Sequence, residues 1–117
     1  MDKLKHSFGR HFLIELIGCP AEKISRVEQV KPVLLQAAEV SRATVVEHFF
    51  KQYEPHGVTG VILIAESHFS VHTWPEDEFV AFDILTCGEM LPEQAVEHVR
   101  REFGARDMKQ RILERGY

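Results

Sequence analysis

Between Glu66 and Glu76 the sequence reads ESHFSVHTWPE. The stretch gathers Ser67 and Ser70, His68 and His72, Glu66 and Glu76, and Trp74, directly after the apolar run Val61-Ile62-Leu63-Ile64-Ala65. Polar groups set against a buried strand lose free energy unless they are paired. A strand end with its polar face in water would account for them. Two kinds of chemistry also follow from the residue types. His68 and His72, four apart, share one face of a strand with Ser70 between them, and Cys87 would supply a third metal ligand. No HExxH or CxxC spacing accompanies them. Alternatively, Ser67 or Cys87 is a nucleophile with His68 or His72 as its base. Against that hydrolase reading, there is no GxSxG elbow and no glycine beside Ser67.

A wider set of motifs adds a resemblance. Gly57-Val58-Thr59-Gly60, then Glu66-Ser67-His68 with His72-Thr73-Trp74-Pro75-Glu76, then Thr86-Cys87-Gly88-Glu89 resembles the prokaryotic S-adenosylmethionine decarboxylase proenzymes. Gly9-Arg10-His11 fits their opening, so the likeness runs from Gly9 to about Phe103. It implies a chain that cuts itself at Glu66–Ser67 into residues 1–66 (a beta chain) and 67–117 (an alpha chain). Ser67 Oγ would attack the Glu66 carbonyl and turn the amide into an ester. Loss of the Ser67 α-proton would then leave a covalent pyruvoyl cofactor at position 67. His72 is the implied base for that proton, and imidazole suits proton transfer near neutral pH. Thr59 stands where the family has a serine that supports the cleavage; it keeps the hydroxyl but adds a stiff β-branch. Ser67 and His72 differ by five, which puts them on opposite faces of an unbroken strand. Either a turn or bulge intervenes, or the base comes from a partner strand.

The resemblance also implies the mature activity. The pyruvoyl ketone would take up the α-amino group of S-adenosylmethionine as a Schiff base and act as the electron sink while carbon dioxide leaves. The product would be the aminopropyl donor of spermidine synthesis. Cys87, expected to be a buried thiol, is implied as the acid that protonates the product carbon. Trp74 and Tyr53 are the candidates for stacking on adenine, and Glu76 for accepting hydrogen bonds from the ribose hydroxyls. Aromatic faces suit a cationic substrate. Two rivals stay open: a pyruvoyl-dependent decarboxylase of ornithine or arginine on the same fold, and a non-enzymatic dimeric binding domain. The former would need Ser67, His72 and Cys87 but not the adenine and ribose contacts.

The elements that hold these residues can be read along the chain. His11–Ile17 is short, apolar and β-prone, and Gly18-Cys19-Pro20 ends it. Pro32 suits a first helical turn, so the spacing of Val33, Leu34, Ala37, Ala38 and Ser41 predicts a helix from about Pro32, or from near Ser25 with Pro32 as a kink. Residues 44–53, 58–65, 68–74 and 79–87 read as strands, the first two joined by the turn Glu54-Pro55-His56-Gly57. Pro92 opens a second helix with the stripe Ala95, Val96, Val99 and Phe103, and Gly104 sits where a cap belongs. Residues 105–117 are a last strand or a frayed end. The class is α+β: a single-domain, two-layer α/β sandwich, an antiparallel sheet with two helices on one face. The run VILIA lacks the alternation of a half-wet strand, so both faces should be covered, one by helices and the other by a second copy. The prediction is a homodimer of cleaved protomers, (αβ)₂, in a larger α/β/β/α assembly.

Bulk properties fit one domain of 117 residues. The net charge of −4, with no basic stripe, argues against nucleic acid or an anionic membrane as partner. No apolar run is long enough to span a bilayer, and Met1 to His6 lacks the apolar stretch of a leader, so a cytoplasmic location is expected. Cys19 and Cys87 are too few for a disulfide framework and should be free thiols.

Overall fold

The computed structural model describes residues 6–117; the opening residues read above for the lack of a leader otherwise lie outside the described residues. Six strands form one antiparallel sheet: β1 (Ser7–Ile17), β2 (Val45–Gln52), β3 (Val58–Ile64), β4 (Ser67–Trp74), β5 (Phe79–Thr86) and β6 (Asp107–Gly116). Their order is β2-β3-β4-β5-β1-β6. The tail is therefore a strand, antiparallel to β1, and β1 lies between β5 and β6.

Helices α1 (Val27–Val40) and α2 (Pro92–Phe103) pack on each other and on one face of the sheet. The alternation of each strand decides which side chains meet them. Phe12, Ile14 and Leu16 of β1, Ile62 and Ile64 of β3, Phe69 and Val71 of β4, and Val80, Phe82 and Ile84 of β5 make the core with Leu34, Ala37, Ala95, Val99 and Phe103. Gly104 caps α2 at φ +68°, a backbone region where a Cβ is costly.

The structure sharpens two expectations. Helix α1 starts at Val27, close to the earlier of the two expected starts, so Pro32 lies inside it rather than at its first turn. Arg26 N donates to Gln29 Oε1 (3.1 Å) and Val27 N to Gln52 Oε1 (2.7 Å), which satisfies open donors at the helix start. Pro32 and Glu28 are both exposed, so the carbonyl that Pro32 leaves unpaired lies on the solvent side, while Val30, Leu34, Ala37 and Ala38 anchor the opposite face. The second concerns VILIA, whose outer face is expected to need a second copy as its cover. Ile62 and Ile64 are buried, whereas Val61 is 37% and Leu63 48% exposed. In the protomer the sheet's second face is open.

Candidate functional site

The hairpin between β3 and β4 is as tight as hairpins become: Ile64 pairs with Ser67, leaving Ala65 and Glu66 as the turn. Neither turn residue takes a positive φ; the next residue, Ser67, the first of β4, does, at +156°, a conformation glycine tolerates and serine does not favour. The strain sits on the residue that follows the Glu66–Ser67 bond. The turn is tied down on its other side. Ala65 N donates to the Thr44 carbonyl (2.8 Å), and Thr44 N donates to Glu66 Oε1 (3.1 Å). Glu66 thus has its side chain held while its carbonyl is free to face elsewhere.

That carbonyl faces Cys87. The Cys87 thiol, just past the end of β5, donates to Glu66 O at 2.7 Å. Cys87 is exposed in the protomer, not buried as expected from its implied role. Its loop is held close to β1, because Gly9, at φ +148°, lets the backbone approach the Thr86 carbonyl where a Cβ would collide. A cleft of about 300 Å³ opens there, lined by Phe8, Arg10, Cys87 and Met90 among others. Ser67, Glu66 and Cys87 are therefore brought together. His68 joins them, with Nδ1 3.5 Å from Ser67 Oγ.

His72 does not join them. Strand β4 runs without a bulge from Ser67 to Trp74. Five residues of strand separate the two by about 16 Å. His72 instead pairs across the ladder with Thr59, and Thr59 Oγ1 lies 2.5 Å from His72 Nδ1. Around them stand the other candidates. The Trp74 ring is 4.4 Å from the His72 ring, centroid to centroid, and Tyr53 is 6.2 Å from it. Glu76 Oε1 is 3.1 Å from His56 Nε2. A hydrogen bond from its own backbone N–H, and then His56, hold the Glu76 carboxyl below the usual carboxylate range. Tyr53, His56, His72, Trp74 and Glu76 line a cleft of about 370 Å³. The site residues thus form two groups at opposite ends of one strand. Thr73 belongs to neither: its buried hydroxyl donates to Ile24 O (2.8 Å) and accepts from Val58 N (3.0 Å).

The three residues weighed as metal ligands, His68, His72 and Cys87, go to three different partners. Among the described residues, His11, His68 and Asp83 cluster instead, their ligand atoms all within 4.8 Å of one another. Asp83, Thr44 and Phe8 escaped the sequence reading as site residues, while His11 entered only through the opening motif and Ser70 only as the neighbour of His68 and His72. Asp83 had a visible signal, a lone carboxylate inside the apolar strand FVAFDILT.

The model of the S-adenosylmethionine decarboxylase family matches residues 10–116. The chain belongs to that family. It is 40% identical over 111 residues to an S-adenosylmethionine decarboxylase proenzyme from Pyrococcus furiosus, covering 94% of this chain and 80% of that one. A proenzyme of the same name from Syntrophomonas wolfei is also 40% identical, with 94% and 88% covered. Among solved structures, the adenosylmethionine decarboxylase of Aquifex aeolicus superposes with a TM-score of 0.90 at 35% identity, covering 95% of this chain and 92% of that one. The family's fold is therefore the fold found here, six antiparallel strands under two helices. No described helix is long and apolar enough to cross a membrane.

Proposed function

We propose that this protein is an S-adenosylmethionine decarboxylase that matures by cutting its own Glu66–Ser67 bond into residues 1–66 and 67–117. The observation that carries the reading is that the strained residue Ser67 directly follows a Glu66 carbonyl onto which the Cys87 thiol donates at 2.7 Å. The residues fit a pyruvoyl group at position 67, because the nucleophile, the polarised carbonyl and an exposed proton donor converge there. Such a group supplies an electrophilic ketone that condenses with an amine and draws electrons from a departing carboxylate. The chain's own residues do the rest. Cys87 delivers a proton to the product carbon, Trp74 and Tyr53 hold the adenine, and Glu76 accepts from the ribose hydroxyls. The ionised state of Glu76 suits that role.

His72 and Thr59 act, in this reading, on the Ser67 of a second copy. Distance supports it: a base about 16 Å from its proton along the same strand is out of reach. The open face supports it too. Phe49 (69% exposed), Val61 and Leu63 lie beside Ser70, Asp83, Leu13 and Leu85 across adjoining strands. Two-fold pairing of such faces about an axis running across the strands would reverse one strand against the other and bring the Ser67 end of one protomer to the His72 end of its partner. The assembly is then an (αβ)₂ dimer of α/β/β/α layers with two composite sites. The adenine and ribose candidates, Trp74, Tyr53 and Glu76, favour S-adenosylmethionine over ornithine or arginine.

Intact mass of the purified protein, with carbon dioxide release from S-adenosylmethionine, ornithine and arginine, tests the reading. The expected result is two fragments and turnover of S-adenosylmethionine alone. A full-length mass identical to that of Ser67→Ala after long incubation would overturn it. Light scattering should find twice the 13.5 kDa protomer mass; an active species at the protomer mass would exclude the composite site.

A further inference from the structure

Beside the hairpin runs a chain of polar groups that the reading above leaves unused. His68 presents Nδ1 to Ser67 Oγ at 3.5 Å and Nε2 to Asp83 Oδ2 at 3.9 Å. Asp83 is fixed from two further sides: His11 Nε2 lies 2.6 Å from Oδ2, and the Ser70 hydroxyl donates to Oδ1. Behind His11, Arg115 Nη1 donates to His11 Nδ1 at 3.1 Å. Register places these groups together, since His68 and His11 both flank Leu85, and Ser70 pairs with Asp83. All project from the open face.

The proton positions follow from the donors. A guanidinium only donates, so His11 Nδ1 accepts, and His11 Nε2 keeps the proton it gives to Asp83. The Asp83 charge, 3.9 Å from His68 Nε2 and beyond hydrogen-bond reach, favours a proton on that nitrogen by attraction alone, which leaves the His68 Nδ1 lone pair facing Ser67. The same accounting weighs against a metal ion among His11, His68 and Asp83. An ion would need the His11 Nε2 lone pair, and the hydrogen bond from Arg115 keeps a proton there.

We infer that His68 is the catalytic base of the first step of self-cleavage, with Asp83 as its positioning residue; the inference rests on the cleavage reading proposed above. Ser67 Oγ attacks the Glu66 carbonyl carbon, forming a C–O bond, while its proton passes to His68 Nδ1. The carbonyl oxygen takes up negative charge facing the Cys87 thiol. Collapse restores the C=O bond, breaks the C–N bond, and returns the proton from His68 to the departing Ser67 nitrogen. An amide becomes an ester and a free amine, with no other reactant consumed. His72 then serves the later removal of the α-proton, so two imidazoles divide two proton transfers between them.

Cell-free synthesis followed by denaturing gels at timed intervals tests this division. His68→Gln and His68→Asn should lengthen the half-time of cutting about 100-fold, the scale of one general base. Thermal unfolding and light scattering check that each variant folds and assembles; either one suffices. Hydroxylamine, which cleaves esters and spares amides, reads the intermediate. Denatured His72→Ala chains should be cut by it at 66–67, denatured His68→Gln chains should not, and adding His68→Gln to His72→Ala should remove the susceptibility. Wild-type cutting rates in either folded His68 variant, or an ester accumulating in it as in His72→Ala, would overturn the assignment. An uncut wild-type chain would instead sink the cleavage reading itself.

Discussion

Thr59 Oγ1 and His72 Nδ1 stand 2.5 Å apart as directly paired residues of β3 and β4. A single hydroxyl thus sets the orientation of the imidazole. Thr59→Val keeps the shape and removes the hydrogen bond, so cutting should slow about tenfold, the scale of one such bond. Thr59→Ser should cut at least as fast as the wild type, because the hydroxyl stays and the β-branch goes. Timed denaturing gels distinguish these outcomes, and equal rates for wild type and Thr59→Val would remove Thr59 from the reaction.

The separation of Ser67 from His72 predicts complementation. Ser67→Ala and His72→Ala chains should each stay whole when produced alone. Produced together, mixed dimers contain one composite site with both groups, so His72→Ala chains should now be cut and Ser67→Ala chains should not. Mass spectrometry of the mixture identifies which chain yields fragments. Absence of any cutting in verified mixed dimers would mean that base and nucleophile belong to one protomer.

The two cysteines should differ sharply in reactivity. Burial, with Glu78 adding to it, pushes the Cys19 thiol up to about 11. A raised thiol pKa leaves almost no thiolate at pH 8, so alkylation should spare Cys19 and modify the exposed Cys87. Alkylated enzyme, or Cys87→Ala, should lose most carbon dioxide release. Cys87→Ala should also cut itself several-fold more slowly, because the thiol donor to Glu66 O is gone. Peptide mass mapping and full turnover in Cys87→Ala are the observations that would contradict this.

Glu76 should matter to binding and not to maturation. Its depressed carboxyl pKa keeps it ionised as pH falls, losing its charge only below the ordinary carboxylate range. Substrate affinity should therefore hold on the acid side, and His56→Ala, which removes one of the causes, should move its loss to higher pH. Glu76→Gln should raise KM for S-adenosylmethionine about tenfold, the scale of one charge-assisted hydrogen bond, with normal cutting. A KM unchanged by Glu76→Gln would reassign the ribose contact.

Five of the strands were legible because β-branched runs, glycines and prolines mark them, and their ends fall within a few residues of the reading, while the tail read equally as a strand or a frayed end. The start of α1 was legible only as two alternatives, because its opening donors are met by Gln29 within the helix and by Gln52 from a distant strand. The motif residues were legible as a set, yet their division into two groups was not. Parity along β4 puts Ser67 and His72 on opposite faces, and only the unbroken ladder shows that no bulge reunites them. Asp83 and His11 lie 72 positions apart, and strand order alone brings them together.

Strand order has a further consequence for a chain cut at residue 66. The first fragment would carry β1, β2 and β3 and the second β4, β5 and β6, yet in the sheet the two are interleaved. β3 lies on β4, and β1 is clasped between β5 and β6. The pieces would stay together without a covalent link, because parting them means unzipping three ladders at once. Reassembly after denaturation would be another matter. It would become a bimolecular encounter in which a lone strand must slot between two others. Maturation would then act as a ratchet: a protein that folds once as a single thread, and afterwards persists by never coming apart.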